Sequence, residues 1–483
     1  MRFFLATTIL CLLVACKQTS RSQNTNQVER REYIVDFDLD KIKERGYITA
    51  LMDNSSTGLF VYRGKTMGYE YELLKRFCEE HNLELRIKII PSIAEAFDML
   101  NVGEGDILAY NLTVTKERKK EIAFTHYHSL QRQVLIQRKP DNWREMKAHE
   151  IEAGVIRNPI DLIGKEVMVR PHSSYHNRLH NLSDEIGGDI LTIPSDKSIE
   201  TEELIKWVSE GKIDYTVAEE NIALVNATYY RNIDIKTPIS FPTQIAWGIR
   251  KNASGLQGAL NEWIEAMRRR VDYYVIYDKY FKSSKSALIR SRSEYSSIGG
   301  GAISEYDTLF KVAAQEMEWD WLLLAAQAYK ESKFDKDIES WAGAIGLMQV
   351  LPSTGMEHDI SKQELFDPDK NMHAATRHLM WLKRQWRHIE NGTEQQKFIL
   401  ASYNVGLGHV QDAVRLTKKY GGDIDSWEEV SEYLLKKSSS DYYTDPVVEY
   451  GYCRGAEPVS YVKSIFDSYT NYKEILQSEK LSS

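Results

Sequence analysis

Between residues 283 and 301 the chain loses its hydrophobic periodicity. Ser283-Ser284-Lys285-Ser286, Arg290-Ser291-Arg292-Ser293, Ser296-Ser297 and Gly299-Gly300-Gly301 put small, polar residues where a buried stripe would otherwise run, which marks a boundary between folding units. The two sides of that boundary differ in kind. From 33 to 281, short β-rich runs alternate with amphipathic stretches: 47–51, 83–90 and 106–109 read as strands, 69–81 and 94–100 as helices, the pattern of an α/β architecture. Beyond the boundary strand signals nearly vanish, and 304–318, 319–332, 371–388, 395–401 and 409–420 read as helices. The expectation is a multidomain protein, with an α/β domain over 33–284, a linker over 285–302 and a mainly α domain over 303–483. A chain of 483 residues that is 42% hydrophobic, with 11 Pro and 27 Gly, can fill cores of that size.

The N-terminus reads as an address. Met1-Arg2 precede a mostly apolar run over 3–15, too short to span a bilayer comfortably as a mature helix, so 1–15 is expected to be a signal peptide. Its end, Leu13-Val14-Ala15-Cys16, resembles a bacterial lipobox. That implies acylation of the Cys16 thiol, a lipid anchor in the bacterial outer membrane with the body facing the periplasm, and a flexible tether over 16–32. No later segment has an unbroken apolar run of transmembrane length. Cys78 and Cys453 fall on opposite sides of the boundary and are expected as two separate buried thiols. The net charge of −8 and isoelectric point near 5.9 argue against a nucleic-acid partner.

In the first domain, Gly105-Asp106 leads through Thr113-Val114-Thr115 to Arg118, with Ile122-Ala123-Phe124-Thr125 after it. An Arg five residues beyond a Thr offers a planar fork and a hydroxyl to a ligand carboxylate. The segment resembles the G-D-x-x-x-x-x-x-T-x-T-x-x-R signature of the periplasmic amino-acid-binding proteins, the family 3 solute-binding fold. Three further matches follow in order: 161–169, expected to open the second lobe, 211–219, and 272–281, closing the domain. The resemblance implies a bilobed α/β clamshell in which Thr113, Arg118, Ser173 and Ser174 meet a carboxylate and Glu219 receives an ammonium group. Arg170-Pro171-His172 replaces the family's glycine-containing approach, so a narrower pocket or a changed ligand is expected, an amino acid or a murein stem peptide being candidates. His172, His176 and His180 have helical spacing, yet no carboxylate completes a metal site, and neither metal nor cofactor is expected.

In the second domain, Glu331-Ser332-Lys333-Phe334 is followed by Ser340-Trp341-Ala342-Gly343-Ala344-Ile345-Gly346-Leu347-Met348-Gln349, then Pro352 and Thr354. Ala401-Ser402-Tyr403-Asn404-Val405-Gly406 and Glu457-Pro458-Val459-Ser460-Tyr461-Val462 come later. These resemble, in order, four motifs of the lytic transglycosylases with a goose-type lysozyme fold, enzymes that cleave peptidoglycan. A Glu at the end of an apolar helix is expected to hold its proton near neutral pH, through desolvation and the negative helix terminus, and so to act as a general acid. The resemblance makes Glu331 the one catalytic carboxylate, first acid and then base, giving a 1,6-anhydro product. Ser340, Gln349, Tyr403, Asn404 and Glu457 are expected to bind glycan. A hydrolytic muramidase, and a non-catalytic binding protein for murein fragments, stay open as alternatives.

Overall fold

A computed structural model describes residues 34–482, apart from 56, 91, 172, 197–198, 284–289, 291–292 and 299. The expected signal peptide, Cys16, the tether, His172 and part of the linker lie outside the described residues. Strands β1 (Tyr47–Met52), β2 (Phe60–Tyr62), β3 (Lys65–Met67), β4 (Glu84–Ile89), β5 (Ile107–Leu108) and β6 (Ala123–Phe124) come first. Then β7 (Ser129–Gln131) leads into β8 (Gln133–Arg138), β9 (Glu166–Val169), β10 (Leu191–Pro194), β11 (Tyr215–Glu219) and β12 (Ile233–Pro238), and the chain returns through β13 (Thr243–Ile245) and β14 (Gly248–Ile249). Two five-stranded sheets result, ordered β4-β1-β5-β14-β6 and β10-β9-β11-β8-β12, joined by the antiparallel pair β7–β13. The bilobed α/β expectation holds, with one correction. The second lobe opens at β8, well before residue 161, because β8 runs antiparallel between β11 and β12. Buried at every position but its last, β8 shows no alternation by which the sequence would mark it as a strand.

The Gly105-Asp106 pair of the signature does structural work. Asp106 accepts the Thr49 backbone N–H at 2.8 Å, accepts from Arg45, and pairs with the fully buried Arg250 at 3.2 Å. The terminal nitrogens of Arg250 also donate to the carbonyls of Gly105, Leu100 and Phe37. A charge taken out of water persists only when paired and hydrogen-bonded in this way, so the cluster pins β1 to the start of β5.

The second domain is helical as expected, with helices Asp307–Met317, Trp321–Ser332, Pro368–Gln385, Gly392–Val405, Leu407–Lys419, Trp427–Lys436 and Ala456–Ser482. The first begins at Asp307 rather than 304, since the Asp307 carboxylate accepts the backbone N–H groups of Ile303 and Ser304, each at 2.9 Å, ahead of the helix. Cys78 and Cys453 are both buried and free. Among the described residues no helix is long and apolar enough to cross a membrane.

The boundary is less of a break than the sequence suggests. One apolar core runs from Ile42, Phe60 and Phe77 in the first lobe to Phe310, Leu324 and Ile475 among the helices. The second lobe keeps two clusters of its own, around Leu179 and Val217 and around Ile136 and Val208. The seam is made by β4, where Ile89 N–H donates to Glu474 at 3.3 Å, and by the β2–β3 hairpin. Tyr472 donates to the Gly64 carbonyl at its tip, and Asn471 Nδ2 donates to Thr66 Oγ1 at 3.4 Å. Residues of the expected linker join it as well: Ser296 bridges Tyr62, Ser297 N–H donates to the Val61 carbonyl at 2.9 Å, and Ser297 Oγ accepts from Val61 N–H at 3.0 Å.

Gly64 has φ +74°, and a Cβ there would lie 2.5 Å from the Phe334 ring and 2.6 Å from the Tyr329 ring. Gly64→Ala is therefore expected to lower the unfolding free energy by about 1–3 kcal/mol. Urea denaturation checks this, and a loss below about 0.5 kcal/mol would mean the seam is not tightly packed.

Candidate active site

The Trp321–Ser332 helix is capped by Asp320, whose side chain accepts from Leu322 N–H at 3.1 Å, and every residue from Leu322 to Ala328 is buried. A helix apolar on all sides belongs to a core, and Glu331 sits at the point where this one reaches the surface. Lys333 (φ 54°) and Phe334 (φ 67°) are both left-handed, so the chain turns sharply and the Phe334 ring folds back against Tyr329, centroid to centroid 5.6 Å. The Glu331 carboxylate accepts a hydrogen bond from Tyr461 Oη, and Gln327 Nε2, one turn earlier, donates to that Tyr461 Oη at 3.3 Å. Burial pushes the Glu331 carboxyl up to about 7, with the Tyr461 hydroxyl pulling the other way. At neutral pH a substantial fraction is thus protonated and able to donate.

The glycine-rich motif forms a tight loop against this helix end. Ser332 Oγ donates to the Leu347 carbonyl at 2.8 Å. Ser340 N–H donates to the Ala344 carbonyl at 2.8 Å, and Ser340 Oγ accepts from Ala344 N–H at 3.0 Å. Gly346 must be glycine: at φ +74° a Cβ would stand 2.6 Å from the Leu365 carbonyl oxygen. Gln349, itself at φ 51°, donates its side-chain amide to the carbonyls of Gly346 (3.0 Å) and Ile338 (3.3 Å). Fully buried Asn371 fastens the loop from behind, accepting from Met348 N–H and donating to the carbonyls of Ile345 and Leu365, all at 2.8 Å.

Of the residues expected to bind glycan, Tyr403 lies beside Glu331, its hydroxyl donating to the Met348 carbonyl at 2.8 Å and its charge state coupled to that of Glu331. Asn404 follows on the exposed side. Ser340 and Gln349 use the groups just described to shape the loop. Glu457 is exposed, one turn before the buried Tyr461 on the same helix. Sequence reasoning missed Tyr461, Gln327 and Asn371 as parts of the site. The E-x-x-x-Y spacing carried a signal for the first, since it presents both side chains on one helix face.

In the clamshell, Arg118, Ser173, Ser174 and Glu219 line one interlobe cavity from both lobes, and Thr113 joins them through its bond to Glu219 rather than by lining it. Thr113 Oγ1 donates to Glu219 at 3.1 Å, Tyr175 donates to the other Glu219 oxygen, Ser174 Oγ donates to Thr113 Oγ1 at 3.4 Å, and Arg118 donates to the Thr113 carbonyl at 2.8 Å. Ser173 caps the Ser174–Ile186 helix. Burial lifts Glu219 to about 7, with Thr113 and Arg118 opposing the rise. Among the described residues no group of three or more His, Cys, Asp or Glu is placed to hold a metal, and His180 pairs with Asp184 at 3.6 Å.

The chain matches two families of known proteins. The Transglycosylase SLT domain family matches residues 308–425, and the bacterial extracellular solute-binding proteins, family 3, match residues 48–283. A relative from Desulfosudis oleivorans named membrane-bound lytic murein transglycosylase F is 32% identical over 440 residues, covering 91% of this chain and 92% of that one. A relative of the same name from Pseudomonas fluorescens is 27% identical over 430 residues, covering 88% and 85%. Among solved structures, an ancestral arginine-binding protein bound to arginine is 21% identical, covering 49% of this chain and 99% of that one, with a TM-score of 0.41.

The Tyr461 hydroxyl favours the charged form of Glu331, so its removal should raise the carboxyl pKa. Tyr461→Phe is expected to move it upward by about one unit, read from a carboxyl-carbon NMR titration of the wild type and the variant. A downward shift would show that Tyr461 does not act as the donor.

Proposed function

The chain belongs to the membrane-bound lytic murein transglycosylase F family, and from that premise we propose how it cuts peptidoglycan and what becomes of the ends. Protonated Glu331 gives its proton to the glycosidic oxygen between MurNAc and GlcNAc as the bond to the muramyl C1 breaks. The resulting carboxylate then takes the proton of the muramyl 6-hydroxyl while that oxygen bonds to C1. The products are a free GlcNAc 4-hydroxyl and a 1,6-anhydro-MurNAc end, and no water is consumed. The observation that carries this reading is one carboxyl at the end of a buried helix, hydrogen-bonded by Tyr461 and pushed up by burial to about 7: one group with both protonation states accessible serves as acid and base in turn. Among the described residues, the side chains that act on Glu331 are the phenols Tyr461 and Tyr403 and the Lys330 cation, which favours one carboxyl in two roles over a pair with divided roles.

The clamshell is read as a ligand-sensing domain, and its supporting observation is one of continuity. Asp53, Asn54, Ser55 and Thr57 line the interlobe cavity, and the chain then enters the β2–β3 hairpin, whose Gly64 lies against Tyr329 and Phe334 on either side of Glu331. A ligand that binds two arrangements of the lobes with different affinity would thereby bias the catalytic helix. The relatives' name and the lipobox together support a periplasm-facing enzyme anchored through Cys16 in the outer membrane.

Glu331→Gln should abolish cleavage of purified sacculi with the fold retained, because the amide is nearly isosteric but has no acidic proton. Mass spectrometry of wild-type products should show anhydro ends. Reducing ends would identify a hydrolase, and cleavage by the variant would remove Glu331 from the mechanism.

Cys16→Ser should release the protein into the soluble fraction. Retention on membranes through a high-salt wash would point to another anchor.

A further inference from the structure

The far end of the clamshell cavity is occupied by the protein's own cation. Arg170, directly after β9, is 6% exposed. Its guanidinium makes a two-pronged pair with Glu200, 2.6 Å and 2.8 Å, and donates to Tyr110 Oη across the cleft at 2.9 Å. It also faces the carboxylate of Asp53 on the opposite lobe, each acting on the charge of the other. Asp53 is held in place by contact with Gly58, where any Cβ would overlap its carboxylate, and by a hydrogen bond with Ser55. Arg118 and Glu219, the groups suited to a carboxylate and an ammonium, line the same cavity.

The space that remains is small. The cavity measures about 60 Å³, room for about four to six waters, and Ile93, Arg118, Ser173 and Ser174 also line a wider neighbouring cavity of about 290 Å³. A ligand with a long cationic side chain would need the anions that Arg170 already holds, and would have to expel a buried, bidentate guanidinium to reach them. A ligand with an acidic side chain would meet Asp53 and Glu200.

We infer that Arg170 is a built-in surrogate for a cationic side chain, and that it turns the clamshell toward α-amino acids with uncharged side chains, such as glycine or alanine. The inference rests on the reading of the clamshell as a binding domain and names the ligand class of that site. Removing the surrogate should turn the specificity around, because Asp53 and Glu200 then become free to take a ligand guanidinium.

The test is calorimetry on the detergent-solubilised full chain with glycine, D-alanine, L-alanine, L-glutamate and L-arginine. The wild type should bind glycine or alanine at least tenfold more tightly than arginine or glutamate. Arg170→Ala should gain at least tenfold in arginine affinity, and adding Asp53→Asn should remove that gain. Arg170→Gln, which keeps a hydrogen-bonding group but no charge, should shift the ratio in the same direction, and thermal unfolding reports whether each variant folds. Wild-type binding of arginine as tight as that of alanine, or a ratio indifferent to both Arg170 substitutions in folded protein, overturns the inference while leaving a binding domain. If no zwitterion binds the wild type or any folded variant, the binding-domain reading falls as well. Arg118→Ala separates the cases: it should abolish alanine binding to a true α-amino-acid site and leave adventitious binding unchanged.

Discussion

The hydrogen bond from Tyr461 to Glu331 joins the helix that carries the acid to the last helix of the chain, and the geometry of the catalytic end follows from it. Buried, and left to itself, a carboxyl would drift toward a permanently protonated state. Left in water, it would be a plain carboxylate at neutral pH. The phenol holds it between the two, and the position of the phenol depends on a helix running from Ala456 to Ser482, which packs against the first lobe as well as against the Trp321–Ser332 helix. The acidity of one atom pair is thus tied to the assembly of two domains.

What was legible in the sequence had local causes. The E-S-x-F turn, the glycine-rich loop and the T-x-T-x-x-R segment are each built from residues close in the chain, so their spacing carries their geometry. The pieces that escaped are those whose partners lie far away. Tyr461 meets Glu331 across 130 residues, and only the fold brings them together, which is why Glu457, its exposed neighbour on the same helix face, looked equally eligible. Asn371 reads as an ordinary polar residue near a helix start until three loop groups are found bonded to it. The long last helix was not read as a helix, because its buried positions include Tyr461, Asn471 and Tyr472, side chains that carry polar groups, and so its hydropathy shows little amphipathic periodicity.

The departure at Arg170-Pro171-His172 was visible as a departure, and what it does depended on geometry. An Arg following a strand reads as a surface charge until Glu200, Tyr110 and Asp53 are seen around it. The same holds for the Gly/Ser-rich boundary: composition suggested a spacer, whereas Ser296 and Ser297 extend the edge of the β2–β3 hairpin. Composition reports how a segment behaves when nothing nearby offers hydrogen bonds, and here β2 offers them.

The unbroken core from Ile42 to Ile475 bears on how such a protein can be taken apart. The helical portion is not a cartridge. A cut in the Gly/Ser-rich stretch would leave an oily scar on both fragments, with Tyr472, Phe334 and the β2–β3 hairpin all losing their cover, and exposed surface of that kind leads to aggregation. The second lobe, which keeps its own apolar clusters and is connected through the β7–β13 pair, is the natural unit of exchange. Lineages could replace it wholesale, and with it half of the interlobe cavity, while the helical end keeps its foundation.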